Sequence, residues 1–532
     1  MLRLLLISTL LLSPFLPSAQ PLIEAPLRVM SFNIRYDTPH DGYHAWPHRR
    51  SLVAEVIRLH DADLLGLQEV LPGQITDLLH LLPEYGIFGV ARDTGRNSEF
   101  VPICYRRSRL QLLDGGTFWL SETPDEMSRG WDAALKRIAT WAKFEDRQTG
   151  KQLFFFNTHL DHRGQQARRE SALLLLHRIR QYNPTQLPVL LSGDFNAEPT
   201  DLPYQLITQQ PDTLGLHDAR LSAQSVIGPS GTWAGFTVPR QIGGRIDYLF
   251  YQHRVAVLRY ATLTDGWHQQ LPSDHLPVLA EVLIDPVEAQ TRAHAHNDYQ
   301  QPYPLLKALQ HGFNRIEADL WLEEGRLFVS HDAPRGSAAM RRLETLYLEP
   351  LARRVQAYRG QVFPGHAEPF CLLLDLKSEG ETLYRHLRAA MAPYRWMMEG
   401  DDPPLQVVLS GNIPVSTVFA DPDRFMAIDG RPGHLDKGFS PDFMPMISQR
   451  YANVLQWRGE GDIPTEDLQR LGRLVSQVHA EGKQLRLWGS PENEAVWQIL
   501  LDVGVDIINT DEPERLQRFL QGYAPTIDLT KE

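Results

Sequence analysis

Leu187-Pro188-Val189-Leu190-Leu191-Ser192-Gly193-Asp194-Phe195-Asn196 is an apolar run that ends in chemistry. Such a run suits a strand covered on both faces. At its end Asp194 and Asn196 stand two residues apart, so both side chains fall on one side. A carboxylate there can orient or deprotonate a water, and an amide can hold a phosphoryl oxygen without adding negative charge. Leu64-Leu65-Gly66-Leu67-Gln68-Glu69 likewise ends in a carboxylate, here one suited to a hard cation such as Mg²⁺. Ser273-Asp274-His275 sets Asp and His side by side before another strand. A second carboxylate on such a histidine fixes its tautomer and raises its basicity.

Around these ends, short apolar runs alternate with amphipathic segments. Strands are predicted at 27–32, 62–67, 101–105, 153–156, 187–191, 246–251 and 276–284, with helices over 47–59 and 165–182. The polar stretch 285–291 reads as a linker. Beyond it, strands at 315–320, 327–330, 370–376, 406–409, 484–488 and 506–509 alternate with helices at 304–311, 465–481 and 492–503, a pattern that predicts a parallel barrel. At 532 residues, two domains are the natural expectation.

The second half has its own polar strand ends. Phe313-Asn314-Arg315-Ile316-Glu317-Ala318-Asp319 places two carboxylates on one face, a platform for Ca²⁺ or Mg²⁺. His331-Asp332 closes the next strand, and Asp375 with Lys377 closes Phe370–Leu376. His294-Ala295-His296-Asn297-Asp298 opens this half. Three carboxylates around one metal, flanked by two histidines, suit acid–base cleavage of a phosphodiester.

The first set, with Ser31-Phe32-Asn33, Asn157-Thr158-His159 and Arg245-Ile246-Asp247-Tyr248, resembles the endonuclease/exonuclease/phosphatase superfamily over residues 27–284. The resemblance implies an α/β fold, a DNase-I-like four-layer sandwich of two packed sheets. It implies that Asn33 and Glu69 bind Mg²⁺ with Asp274 near it, that His159 contacts phosphate, and that Asp194 and Asn196 serve the water and the transition state. Asp247 would pair with His275. Asn157, His162 and Arg163, around the same strand end, are candidates for substrate contact.

The second set resembles the phospholipase-C-like and glycerophosphodiester phosphodiesterase superfamily over 292–520, sphingomyelinase D-like members included. It implies a TIM-type barrel with Glu317, Asp319 and Asp375 on Mg²⁺ or Ca²⁺, His331 as one acid/base group, and Lys377 facing phosphate. The other histidine is His294 or His296. His294 is favoured because sphingomyelinase D-like relatives show its three-residue spacing to Asn297. The family's usual His-Arg-Gly opening is absent. Trp488 either lines the site or packs at the barrel rim.

Met1-Leu2-Arg3 followed by the apolar run from Leu4 to Leu16 and by Pro17-Ser18-Ala19-Gln20 predicts a signal peptide over residues 1–20 and a secreted or periplasmic protein. The only cysteines are Cys104 and Cys371, so no disulfide framework is expected. A formal charge of −12 and the lack of a long basic insertion disfavour a nucleic-acid substrate. No basic amphipathic helix suggests stable membrane insertion, and no obligate protein partner is evident. The expected function is therefore an exported, bifunctional, metal-dependent phosphodiesterase/phosphatase of lipid-derived or other small phosphoesters. The alternative is an extracellular nuclease acting through the first half, with the barrel a binding or weakly active module.

Overall fold

The computed structural model describes residues 23–209, 215–236, 242–268, 270–335 and 341–525. The predicted signal peptide lies outside the described residues. Among the described residues, the first half holds two mixed sheets. One runs, strand by strand, Ser225–Ile227, Val255–Thr262, Val278–Ile284, Leu27–Asn33, Leu64–Gln68, Ile103–Arg106 and Tyr85–Phe88. The other runs Leu110–Trp119, Ile138–Asp146, Gln152–His159, Val189–Asp194, Asp247–Gln252 and His217–Asp218.

Each central strand is apolar on both faces, so it needs cover on both. Val29, Leu64, Ile103 and Val278 of one sheet pack directly on Phe144, Phe155, Leu190 and Leu249 of the other. On the outer faces, the helices Trp46–Leu59 and Pro72–Leu81 cover Met30, Phe32 and Leu67. Gln165–Tyr182 and Leu202–Thr208 cover Phe154, Phe156 and Leu191. The order is helix, sheet, sheet, helix. Gly66 lets the sheets close at one edge, because a Cβ there would lie 2.0 Å from Ser192 Oγ.

The second half is a closed barrel of eight parallel strands: Gln290–Ala295, Phe313–Glu323, Phe370–Leu376, Leu405–Gly411, Ala427–Gly430, Met446–Arg450, Gln484–Trp488 and Ile507–Thr510. Neighbours in sequence pair throughout, and the first strand pairs with the last, Ala293 opposite Ile508. Arg326–Val329 adds an antiparallel edge to the second strand. Inward residues form two zones. Cys371, Leu373, Val408, Ala427, Met446 and Ile507 fill the interior with apolar volume, while polar side chains occupy the carboxyl ends of the same strands.

The linker prediction needs correcting. Gln290 and Thr291 belong to the barrel's first strand, with Gln290 opposite Phe313. Val287 and Ala289 pack against the barrel core. Backbone pairing, not side-chain polarity, decides their place. The halves touch through a small apolar cluster of Leu258, Leu283 and Tyr358 and an Arg359–Glu281 ion pair at 3.1 Å. Both cysteines are buried and free.

Phe155 is fully buried between the two sheets. Phe155→Ala should cost about 3–5 kcal/mol, read as a lower urea midpoint of the first half's transition. An unchanged midpoint would contradict the sheet-on-sheet packing.

Candidate active sites

In the first half, parallel strands deliver their carboxyl ends to one edge. Asn33 follows Phe32, and Asp194 closes Val189–Asp194 with Asp247 directly opposite on the neighbouring antiparallel strand. Asp194 sits at the centre. Its Oδ2 accepts from Asn33 Nδ2 at 3.0 Å and lies 3.5 Å from His159 Nε2 and 3.8 Å from His275 Nε2. Its Oδ1 accepts from the Asn196 backbone N–H at 2.9 Å. Asn196 has φ +46°, a left-handed turn that swings its amide back to 3.1 Å from His159 Nε2. Glu69 is also left-handed, at φ +61°, and its Oε1 accepts from Asn33 Nδ2 at 3.2 Å. Such conformations cost energy in residues other than glycine and gather at functional sites.

The electrostatics separate two roles. His275 Nδ1 lies 2.9 Å from Asp247 Oδ2. Burial alone would lower the His275 pKa, but the Asp247 and Asp194 carboxylates raise it well above the ordinary value. Burial and the adjoining Asp247 push Asp194 up to about 7. His159 is driven down by burial and by Arg137 and Arg92, so its ring is neutral. Asp194, Asp247 and His275 offer ligand atoms within 4.8 Å of one another. A histidine held protonated by Asp247 is a poor metal ligand, so this trio suits proton handling instead. Glu69 and Asp274 form a second acidic pair, with Arg35 at 3.8 and 3.9 Å. Burial raises Asp274. That donor set fits a hard divalent cation.

Asn157 does not reach this site. It is fully buried between the sheets, accepting from Gln68 Nε2 at 2.8 Å and Ser192 Oγ at 3.0 Å and donating to two backbone carbonyls. Its amide is consumed in holding the sheets together, which corrects the substrate-contact reading. His162 and Arg163 are exposed. His162 Nδ1 is 3.1 Å from Arg137 Nη2, and Arg137 is buried against Asp161 at 3.4 Å. Arg137 was not foreseen. It begins an apolar run rather than ending one.

In the barrel, inward residues at the strand ends line a cavity of about 300 Å³ that takes in His296, Asn297, Glu317, His331, Asp375, Lys377 and Trp488. Glu317, Asp319 and Asp375 bring carboxylate oxygens within 4.8 Å of one another. Asp319 Oδ1 and Asp375 Oδ1 are buried without hydrogen-bond partners, and Gly411, at φ +72°, leaves room where a Cβ would strike Asp375 Oδ1. These orphaned oxygens fit a divalent cation. Lys377 Nζ lies 2.6 Å from Asp375 and 3.3 Å from Asp319. Burial, with the neighbouring Asp375 and Glu317, pushes Asp319 up to about 6 despite Lys377. Glu317 goes the other way. Burial would raise it, but Arg486, His294 and His296 hold it well below the usual carboxylate range.

The preference for His294 over His296 is reversed. His294 is wholly buried below the cavity, its Nε2 3.3 Å from Glu317, and burial together with Arg486 pushes it down to about 3. It is a neutral support for Glu317. His296 lines the cavity, its Nδ1 2.9 Å from Asp511 Oδ1. Burial would lower it, but Asp511 and Glu317 raise it. Asn297 Nδ2 lies 2.9 Å from the same ring nitrogen, and Tyr299 donates to Asp319 at 2.8 Å. His331 is exposed on the cavity's opening, with Asp332 at 3.2 Å. Trp488 lines the cavity, with Arg450 over its ring at 5.8 Å. Arg486, Ser410, Asp429 and Arg431 line it too and were missed. Arg486 stands two residues before Trp488, so strand alternation alone points it inward.

Two family profiles match the chain. Residues 30–275 match the Endonuclease/Exonuclease/phosphatase family, and residues 284–426 match the AIM6-like phosphodiesterase domain. Altered inheritance of mitochondria protein 6 of Eremothecium gossypii is 28% identical over 274 residues, 44% of this chain and 70% of that protein. A solved endonuclease/exonuclease/phosphatase from Bacteroides vulgatus is 38% identical, covering 49% of this chain and 100% of its own, with a TM-score of 0.46. A mannosyl-6-phosphatase of Bacteroides thetaiotaomicron is 35% identical, covering 48% and 99%, also at 0.46.

Because Asp319 gains a proton near pH 6, divalent-cation affinity at the barrel should fall as pH drops through that value. Calorimetric titration of a Glu69→Gln variant, with the first half silenced, tests this. Affinity unchanged between about pH 5 and 8 would contradict the assignment of Asp319.

Proposed function

We propose that this chain, whose residues 30–275 belong to the Endonuclease/Exonuclease/phosphatase family, is an exported hydrolase of small phosphoesters with two separate metal-assisted sites. One observation carries the reading: each half gathers its own carboxylates and histidines at strand ends, and each has an acidic group suited to a cation, Glu69 with Asp274 in the first half and Glu317, Asp319 and Asp375 in the barrel. The basic start and apolar run support export. We read the first half as DNase-I-like. The barrel we read as TIM-type, of the phospholipase-C-like and glycerophosphodiester phosphodiesterase kind.

In the first half, Glu69 and Asn33, with Asp274, would hold Mg²⁺, which neutralises charge on the phosphoryl group when bound. Asp194 orients the attacking water. His275, kept protonated by Asp247, stabilises the charge that builds on the phosphoryl oxygens, and Asn196 and His159 hold one of those oxygens.

In the barrel, Glu317, Asp319 and Asp375 would hold Mg²⁺ or Ca²⁺. His296 and His331 exchange protons with the entering and departing oxygens, and Lys377 faces the phosphate. The charges support this assignment. With the His296–Asp511 pair counted as neutral, Glu317, Asp319, Asp375 and Asp429 face Lys377, Arg431 and Arg486. That leaves one negative charge, which a divalent cation turns to one positive, a match for a phosphodiester anion. The overall charge of −12 weighs against nucleic acid, and among the described residues no helix is long and apolar enough to cross a membrane.

Asp194→Ala and His331→Ala in the full chain, assayed with Mg²⁺ and Ca²⁺ on phosphomonoesters and small phosphodiesters, separate the two sites. Each should lose about 10²–10⁴-fold on a different substrate set. One variant abolishing every activity, or neither changing any, would contradict two independent sites.

A further inference from the structure

We propose that Asp429, Arg431 and Ser410 form a subsite for a hydroxyl group, so that the barrel takes phosphodiesters of polyols and not of quaternary-ammonium alcohols. The proposal rests on the phosphodiesterase reading of the barrel. Ser410 and Asp429 stand on the two strands that follow the one bearing Asp375, and all three residues line the same cavity.

The group is preorganised. Asp429 has no exposed side-chain surface. Its Oδ2 accepts from Ser410 Oγ at 2.9 Å and from Arg431 Nη1 at 2.7 Å, and Arg431 Nη2 donates to Ser410 Oγ at 3.2 Å. That triangle is closed and neutral. Asp429 Oδ1 is left over, buried and without a partner. A buried carboxylate oxygen lacking a donor is costly, and Asp429 is one of the residues that line the cavity where a ligand would sit. Arg431 is partly exposed and has five N–H groups, more than these bonds use. A ligand that donates to Asp429 and accepts from Arg431 completes both residues, and a hydroxyl does both.

A trimethylammonium group does neither. It has no N–H or O–H to give Asp429, and the carboxylate's charge is already matched by Arg431. An aromatic face is the other usual hold on such a cation, and Trp488, which lines this cavity, stands two strands beyond that of Asp429 and has Arg450 over one face of its ring. The next strand end thus favours a neutral, hydrogen-bonding head group beside the phosphate.

The test uses the full chain carrying Asp194→Ala, supplied with Mg²⁺ or Ca²⁺, on the matched diesters glycerol methyl phosphate and choline methyl phosphate, which share a methyl group and differ only in the second alcohol. The glycerol ester should lead in kcat/KM by about tenfold, the worth of one hydrogen bond to a charged group. Arg431→Met, at a partly exposed position where folding should survive, should bring that ratio close to one, and Asp429→Asn should do the same. A ratio of one or below before substitution, or an Arg431→Met variant that slows both esters equally, overturns the subsite and leaves the phosphodiesterase reading intact. Hydrolysis of neither ester removes both.

Discussion

Buried carboxylates set the terms for both halves of this molecule. Asp194, Asp247, Glu317, Asp319 and Asp429 are all almost wholly withdrawn from water. An uncompensated charge in such a place costs several kcal/mol. Counter-charges are therefore built into the same strand ends. His275 answers Asp247. Arg486 answers Glu317, Lys377 bridges Asp319 and Asp375, and Arg431 answers Asp429. Where the balance is incomplete, oxygens are left without partners, and those gaps are the chemically useful places.

The two folds reach this arrangement differently. The first half packs two sheets so closely that Gly66 is required, and its strand ends then converge along one edge. Left-handed turns at Glu69 and Asn196 aim the last side chains inward. The barrel achieves convergence by closure. An apolar interior of Leu373, Val408 and Met446 seals one end, so the polar inward residues lie together at the other.

The sequence was most legible where apolar runs were unbroken. The helix over Gln165–Tyr182 and the strands Phe370–Leu376 and Gln484–Trp488 fall where periodicity places them. Ala427–Gly430 and Met446–Arg450 were missed because they are short and carry Asp429 and Ser448 on their inward faces, which breaks the apolar signature. Ile138–Asp146 was missed because Trp141, Lys143 and Glu145 alternate with buried residues, and only its inner face is apolar. The candidate ligands were legible as carboxylates at strand ends. Burial was not. Spacing alone could not show that Asn157 is spent between the sheets or that His294 lies below the cavity that His296 lines.

The central claim is that each half holds its own cation site. Anomalous diffraction from crystals of the full chain soaked in Mn²⁺ tests it most directly. The account predicts two manganese peaks, one beside Glu69 and Asp274 and one among Glu317, Asp319 and Asp375. A map with no peak among the barrel carboxylates, or with manganese bound only elsewhere on the surface, would contradict it.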